Sequence, residues 1–257
     1  MYRPFIIFSA IFIGALQFLI IWIFSSLNYV PIFEALYHQL PPPLQAFLNE
    51  EFIYRLSLKG TVAFAMNHPL VLLLLGILAI VYSSRLISGE AEKGLLELLL
   101  SFPLKRNQFY ATQFFSTSAF LLFTVGGGYS GSLLALILKK QLTLEIFLNV
   151  SKIGINLWFL FLLITSYALL FSVYHKERGK WGILAVVLTL IFYFMHFITA
   201  IWDELEFLKP INIFSYYQPQ KIIFNEIQIY QNLFILIGVT VICFFIGVNR
   251  FSARDIP

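Results

Sequence analysis

Six apolar runs without a single Asp, Glu, Lys or Arg dominate this sequence of 257 residues. They lie near residues 5–27, 61–83, 109–138, 153–174, 181–202 and 232–248. A helix of about 20 apolar residues crosses the hydrocarbon core of a bilayer, which is about 30 Å thick. Only 12% of the residues are charged, about half the share of a soluble domain. We therefore predict an all-α polytopic membrane protein with six transmembrane helices, forming one domain over residues 1–257.

The first apolar run resembles a signal peptide, because Arg3 precedes it. However, the run has 23 residues, whereas the apolar part of a signal peptide has about 7–15. It ends in Ser25-Ser26-Leu27-Asn28, which offers no small-x-small cleavage site. We expect an uncleaved first transmembrane helix.

The positions of Lys and Arg between the runs predict the orientation, since short cytoplasmic loops are enriched in both. With the N-terminus inside, ten basic residues lie inside: Arg3, Arg85, Lys93, Lys105, Arg106, Lys176, Arg178, Lys180, Arg250 and Arg254. Seven lie outside: Arg55, Lys59, Lys139, Lys140, Lys152, Lys209 and Lys221. This bias predicts a multi-pass protein of the plasma membrane with both termini in the cytoplasm.

One inner segment is long enough to form a structure of its own. Ser88 is a suitable helix N-cap, and Glu90, Lys93 and Glu97 follow at positions that share one helical face. Pro103 ends the pattern, since the residue before a proline disfavours helix. The spacing predicts a short amphipathic helix near residues 88–103, between the second and third transmembrane helices. By amphipathicity alone, the favoured interpretation is a loop helix that anchors the chain at the membrane surface.

The same segment carries a family resemblance. Gly89-Glu90-x-Glu92-x-Gly94-x-Leu96-Glu97-x-Leu99-Leu100-Ser101-x-Pro103-x-x-Arg106 resembles the signature of the ABC transporter type 2 permease family. Residues 210–219, Pro-Ile-Asn-Ile-Phe-Ser-Tyr-Tyr-Gln-Pro, are similar to the family's Pro/aromatic segment before the last helix. Two positions depart from the pattern: Leu95 replaces a usual threonine, and Thr112-Gln113 replaces a usual Gly-Lys pair. These departures leave the subfamily open.

The resemblance implies that residues 88–103 form a cytoplasmic coupling helix that docks on a nucleotide-binding ATPase subunit. The expected partner contacts are Glu90, Glu92, Lys93, Gly94, Glu97, Pro103 and Arg106. ATP and Mg²⁺ would bind that subunit, since this sequence has no G-x-x-x-x-G-K-[ST] phosphate loop. We expect this chain to bind no cofactor or metal and to pair with a second copy or a homologue. The basic turn at residues 175–180 is either a second contact or a topology determinant.

Other functional classes find less support. Ion-coupled carriers place ionisable residues inside the membrane, but the apolar runs contain no Asp, Glu, Lys or Arg, and a lone histidine such as His196 is weak support for a proton relay. Catalysis would need clustered carboxylates, nucleophiles or metal ligands, but the four histidines are far apart in the sequence. The sequence also lacks a basic stripe of the kind that binds nucleic acid. A membrane subunit that assembles or senses without transporting remains an alternative.

Small residues cluster in the third run, where residues 126–132 read Gly-Gly-Gly-Tyr-Ser-Gly-Ser. Small residues at i, i+4 spacing allow two membrane helices to approach closely. The alternative is a flexible point that lines a transport pathway. The family resemblance implies an ATP-driven permease, with export as the expected direction. The uncharged helices, rich in Phe and Leu, favour an amphiphilic or lipid-like substrate over a small ion.

Overall fold

The computed structural model describes residues 3–26, 57–92, 105–174 and 178–253. These ranges are mainly helical and contain no β-strand. Their α-helices are α1 (Arg3–Ser26), α2 (Leu58–Met66), α3 (Pro69–Glu92), α4 (Arg106–Leu138), α5 (Leu144–Tyr174), α6 (Arg178–Ile201), α7 (Pro219–Ile223) and α8 (Ile229–Ser252). Six stretches are long and apolar enough to cross a membrane. The prediction of an all-helical protein with six transmembrane segments is confirmed.

The second transmembrane segment is built from two helices, because α2 and α3 are separated at Asn67–His68. Pro69 explains the break, since proline supplies no backbone N–H and disfavours helical geometry in the residue before it. The His68 side chain closes the gap by accepting a hydrogen bond at Nδ1 from the Leu70 backbone nitrogen, 3.3 Å away. The predicted run over residues 61–83 did not include this break, although Pro69 signals it.

Several helices extend beyond the apolar runs that predict them. α3 ends at Glu92 rather than near residue 83, and α5 begins at Leu144 rather than near residue 153. Glu145 lies in its first turn, where a carboxylate interacts favourably with the helix dipole. α8 likewise extends from Ile229 to Ser252. Charged and polar residues therefore continue these helices past their apolar spans.

The chain divides into two compact units. The first comprises the described residues of Met1–Val71, Thr124–Ile155 and Gln218–Gln228, and the second those of Leu72–Phe123, Asn156–Tyr217 and Ile229–Pro257. α3, α4 and α5 each contribute residues to both units.

In the first unit, α1 runs parallel to the second half of α4. The Ser9 and Thr124 hydroxyl oxygens are 3.3 Å apart, and further along both helices Lys139 Nζ donates to Ser26 Oγ at 2.7 Å. Successive transmembrane segments cross the membrane in opposite directions, so the first and the third must run in the same direction. The direction of α4 therefore agrees with the predicted number of crossings.

Glycines bring the backbones of α1 and α4 into direct contact. A Cβ atom built on Gly14 would lie 2.7 Å from the Gly127 carbonyl oxygen. Cβ atoms on Gly127 and Gly131 would collide with the backbones of Ala10 and Gly14. We call the contact between Ala10–x₃–Gly14 and Gly127–x₃–Gly131 the glycine seam. It confirms the close helix contact predicted from residues 126–132, whereas Gly126 has no atom within 4 Å of its Cβ position.

Polar side chains join the remaining segments of the first unit. Glu145 Oε1 accepts hydrogen bonds from Lys59 Nζ at 2.9 Å and from Asn225 Nδ2 at 3.0 Å. The buried Asn149 donates from Nδ2 to the Ile223 carbonyl at 3.1 Å. The short helix α7 and the start of α2 are thereby held against the first turns of α5.

In the second unit, the segment between α6 and Tyr217 forms two 3-10 helices, Asp203–Leu208 and Ile213–Tyr216. The Asn212 side chain caps the second by accepting from the Phe214 nitrogen at 3.0 Å. Tyr216 donates from its hydroxyl to the Pro210 carbonyl at 2.6 Å. The first part of the Pro/aromatic motif is thus a folded segment with hydrogen bonds between its own residues.

The amount of burial differs sharply between the helices. In the most apolar stretch of α5, 78% of the residues are buried, against 11% in α6 and 17% in α8. α5 is therefore the most buried of the six candidate transmembrane segments. α6 and α8 present long apolar faces, as expected of helices that contact lipid or another membrane subunit.

Candidate coupling site

The predicted coupling segment begins inside a transmembrane helix. α3 continues without interruption through Ser88 to Glu92, so the prediction that Ser88 caps a new helix is wrong. The physical reason is that no proline follows Ser83 in this stretch, and a single helical glycine, Gly89, is tolerated. Lys93, Gly94, Glu97 and Pro103 lie outside the described residues. A separate coupling helix therefore stays a prediction.

α3 and α4 are neighbours that both lead into residues 93–104. The rings of Tyr82 and Phe120 stack with their centroids 4.5 Å apart. At 1.5 Å per residue, Glu92 lies about 15 Å along α3 from this contact, and Arg106 about 21 Å along α4. Glu90 and Glu92, at the end of α3, and Arg106, at the start of α4, therefore flank the segment that the sequence assigns to partner binding.

The first turn of α4 caps the last turn of α8. Arg106 Nη1 donates to the Ser252 carbonyl at 3.4 Å, and the Ser252 hydroxyl is hydrogen-bonded to the Asn107 side-chain oxygen. The last carbonyls of a helix lack intrahelical partners, and a cation there interacts favourably with the helix dipole. Arg106, which the resemblance assigns to partner binding, thus also connects two helices of this chain.

Aromatic rings continue this contact between α4 and α8 within the second unit. Phe109 lies against Phe251 with ring centroids 5.9 Å apart, and Phe114 against Phe244 at 4.8 Å. Together with Tyr110, these rings pack on side chains of α5: Leu162, Leu169 and Val173. Burial of rings this large is strongly stabilising, so the contact between α4 and α8 is part of a packed core.

Tyr110 meets the backbone of α8 at a glycine. A Cβ atom on Gly247 would collide with the Tyr110 hydroxyl, so only glycine fits at this position without a shift of the ring. Among the described residues, that buried hydroxyl has no hydrogen-bond partner, which is costly for a polar group. We call the contacts of Arg106, Asn107 and Tyr110 with Gly247 and Ser252 the α4–α8 joint.

Comparison with known families assigns the chain. The sequence profile described as ABC-2 family transporter protein matches residues 5–256, nearly the whole length. The chain belongs to the ABC-2 transporter family. The resemblance predicted from residues 89–106 is therefore confirmed, and the chain is a permease component of a transporter rather than a catalytic subunit. No curated protein matches the sequence.

The C-terminal end of α5 lies beside the C-terminal end of α8 in this ABC-2 permease. The Arg250 guanidinium is 5.8 Å from the centre of the Tyr174 ring, within the range of a cation–π contact. Residues 175–177 are outside the described part, and α6 begins at Arg178. The proposed second partner contact at residues 175–180 stays a prediction, but it starts next to the helix that the joint holds.

Histidine chemistry finds no support in the described residues of the permease. His196 lies in α6 beside Phe197, with ring centroids 6.0 Å apart, and His68 caps α3 through its Nδ1 atom. No group of three His, Cys, Asp or Glu side chains in the described ranges is placed to hold a metal ion.

Sequence reasoning missed most of the α4–α8 joint. It named Arg106 but not Asn107, Tyr110, Gly247 or Ser252, because no local pattern links residues that are about 140 positions apart. One signal was available: Gly247 interrupts an apolar helix, where glycine often marks a close approach. The identity of the helix that approaches it required the fold.

Proposed function

We propose that this permease is the membrane-spanning subunit of an ATP-driven exporter, and that a separate nucleotide-binding subunit hydrolyses Mg-ATP. The observation that carries the proposal is the path of α3 and α4. Both belong to a chain of the ABC-2 family, and both lead into residues 93–104, the segment with the family's signature. A subunit that pushes on this segment would act on two neighbouring helices at once.

The partner interface would use the acidic end of α3 and the residues that follow it. The proposed contacts are Glu90, Glu92, Lys93, Gly94, Glu97, Pro103 and Arg106. Gly94 would permit close backbone approach. Arg106 has five N–H donors, and one of them donates to the Ser252 carbonyl.

We place the joint on the cytoplasmic side of the plasma membrane, with both termini on that side. Three contacts support a common side for the inner segments: Tyr82 with Phe120, Arg106 with Ser252, and Arg250 with Tyr174. These contacts gather the ends of α3, α4, α5 and α8. The excess of Lys and Arg in the segments that leave these ends favours the cytoplasm.

A second copy or a homologue would complete the transporter. The apolar faces of α6 and α8 are wide enough for a second permease as well as for lipid, since few of their residues are buried within this chain. The substrate would be amphiphilic or lipid-like, because the six apolar runs contain no charged side chain that could bind a small ion.

The proposal is tested by recovering the tagged permease from native membranes in mild detergent. The wild type should retain a soluble ATP-binding subunit near one-to-one, and the Glu90→Lys/Glu97→Lys variant should lose it because two acidic contacts become basic. The Glu204→Lys/Glu206→Lys variant is the matched control. It makes the same charge change on the 3-10 helix Asp203–Leu208, where Glu206 forms an ion pair with the exposed Lys209.

Three outcomes are informative. Loss of the subunit in the first variant but not in the control supports the proposed interface. Loss in both variants would point to a general charge effect instead. Recovery of the wild-type permease alone, without ATPase activity, would contradict the proposal and favour a carrier or a non-transporting membrane subunit.

A further inference from the structure

We propose that the α4–α8 joint transmits movement of the coupling segment to α8, with Arg106 and Asn107 as the positioning residues. This inference rests on the proposed function, because it requires a partner that moves residues 93–104. It adds a second output to that movement. α4 is the covalent continuation of the segment, whereas α8 follows only through the joint.

The first step of the argument is the short distance along the chain. Residues 93–104 are separated from the first residue of α4 by Lys105 alone. A helix transmits displacement along its axis because its hydrogen bonds fix every residue in the turn. Movement of the segment would therefore displace Arg106 and Asn107 with little loss.

The second step is the strength of the connection to α8. Arg106 and Ser252 are 146 positions apart in the sequence, yet their side-chain and backbone atoms are within hydrogen-bonding distance. The Ser252 hydroxyl meets Asn107, and the Tyr110 hydroxyl rests on Gly247 without free space between them. Close-packed contacts transmit strain instead of absorbing it. A shift of the first turn of α4 must shift the last turn of α8.

The third step is the position of α8 in the second unit. Only 17% of its apolar stretch is buried, so few packing contacts oppose its movement. α8 also contacts the 3-10 helix Ile213–Tyr216, which lies in the Pro/aromatic motif. α8 thus connects the joint to that motif, and a nucleotide-driven shift at the joint would reach it.

The chain contains its own reporter for this movement. Cys243 is the only cysteine; it is partly exposed and lies on α8 one turn before Gly247. The experiment measures the rate at which a membrane-permeable maleimide labels Cys243 in the complete complex. The complex is compared without nucleotide and after trapping with Mg-ATP and vanadate. The substrate need not be known.

In the wild type, trapping should change the labelling rate about fivefold, at the low end of usual coupling between sites. The Gly247→Ala variant should retain the partner subunit but lose most of this response, because the new methyl group displaces the Tyr110 ring. The Asn107→Ala/Ser252→Ala variant removes only polar contacts and should show a partial loss. It serves as the second test if Gly247→Ala folds poorly.

Gly238→Ala is the matched control, since it lies on the same helix and has no atom within 4 Å of its Cβ position. It should retain both the partner and the full response. If the two joint variants keep the partner and respond as the wild type does, transmission through the joint is overturned while the proposed function stands. If trapping with nucleotide does not change the rate of Cys243 labelling in the wild-type complex, transmission through the joint is also overturned. If the wild type retains no ATPase, both proposals fail together.

Discussion

α4 is held by different chemistry in its two halves. In the second half, the glycine seam places backbone against backbone, and no side chain separates α4 from α1 at Gly127 and Gly131. In the first half, the α4–α8 joint consists of side chains: a guanidinium, a hydroxyl and a group of aromatic rings around Tyr110. One helix therefore has both a backbone contact and a side-chain contact.

The difference between the two contacts determines how α4 accommodates a larger side chain at each of them. Backbone atoms at the glycine seam have no rotamers, so any change there must move a whole helix. Side chains at the joint have alternative rotamers, and the Tyr110 hydroxyl has no hydrogen bond to any residue that the structure describes. We infer that a new methyl group at the seam must separate the two helices, whereas one at the joint is partly accommodated by a change of rotamer.

The substitution with the largest expected effect on stability disrupts the glycine seam. Gly131→Ala would drive a methyl group into the backbone of Gly14. Only separation of the two helices relieves this contact, so we expect destabilisation by about 3 kcal/mol. The measurement is unfolding of the purified protein in detergent, followed by loss of helical signal on heating or titration with denaturant.

Gly126→Ala is the control for the seam, because its Cβ position is open. It should unfold at the wild-type midpoint or slightly above it, since alanine favours helix more than glycine does. Equal destabilisation by both variants would show that the glycines matter for flexibility rather than for contact.

The next effect breaks the joint. Gly247→Ala meets a side chain instead of a backbone, and the Tyr110 ring can turn away. We therefore expect a smaller loss, about 1–2 kcal/mol. Adding Tyr110→Leu should make the double variant more stable than the sum of the two single effects, since the clash disappears. Strict additivity in a double-mutant cycle would contradict this account of the joint.

The number and type of the transmembrane segments could be predicted from the sequence because the bilayer imposes length and polarity on each one. The small residues at 126–132 also predicted a close helix contact, and the structure adds α1 as the partner. Ala10 and Gly14 have the same i, i+4 spacing, so a pairing of the two patterns was within reach. Its parallel direction follows from the number of crossings between the two helices.

The candidate site was less predictable, since it depends on contacts between distant residues. The local rule for Ser88 as a cap failed because a helix that is already formed continues until something ends it. Pro69 was a true stop signal, but it lay inside an apolar run whose length alone suggested one helix. Asn107 and Ser252 gave no local signal, because their hydrogen bond joins two residues that are far apart in the sequence.

A smaller effect tests the end of the seam. Lys139 donates to Ser26 and lies over the Trp22 ring, with its ammonium 4.4 Å from the ring centre. Lys139→Ala removes a hydrogen bond and a cation–π contact that tie the ends of α1 and α4. We expect a loss of about 1 kcal/mol. Lys209→Ala, whose ammonium pairs with the exposed Glu206, should unfold as the wild type does.

The substitution with the smallest expected effect is at Lys140, next to Lys139, and it should raise the free energy of unfolding instead of lowering it. Lys140 has φ 54°, in the left-handed region that an L side chain adopts at a cost and glycine adopts freely. The backbone there ends α4 with two hydrogen bonds, from Gln141 to Leu136 at 3.0 Å and from Lys140 to Ile137 at 2.9 Å. Glycine is the preferred residue in such a helix end.

Lys140→Gly should therefore stabilise the protein by about 0.5–1 kcal/mol, measured by the same unfolding experiment. Lys140→Ala removes the same charge but keeps the strained backbone, so it should show no gain. If both variants were equally stabilised, repulsion between neighbouring lysines rather than backbone geometry would be the cause. A gain for glycine alone would show that the seam end of α4 is closed by its own backbone, whereas the joint end depends on α8.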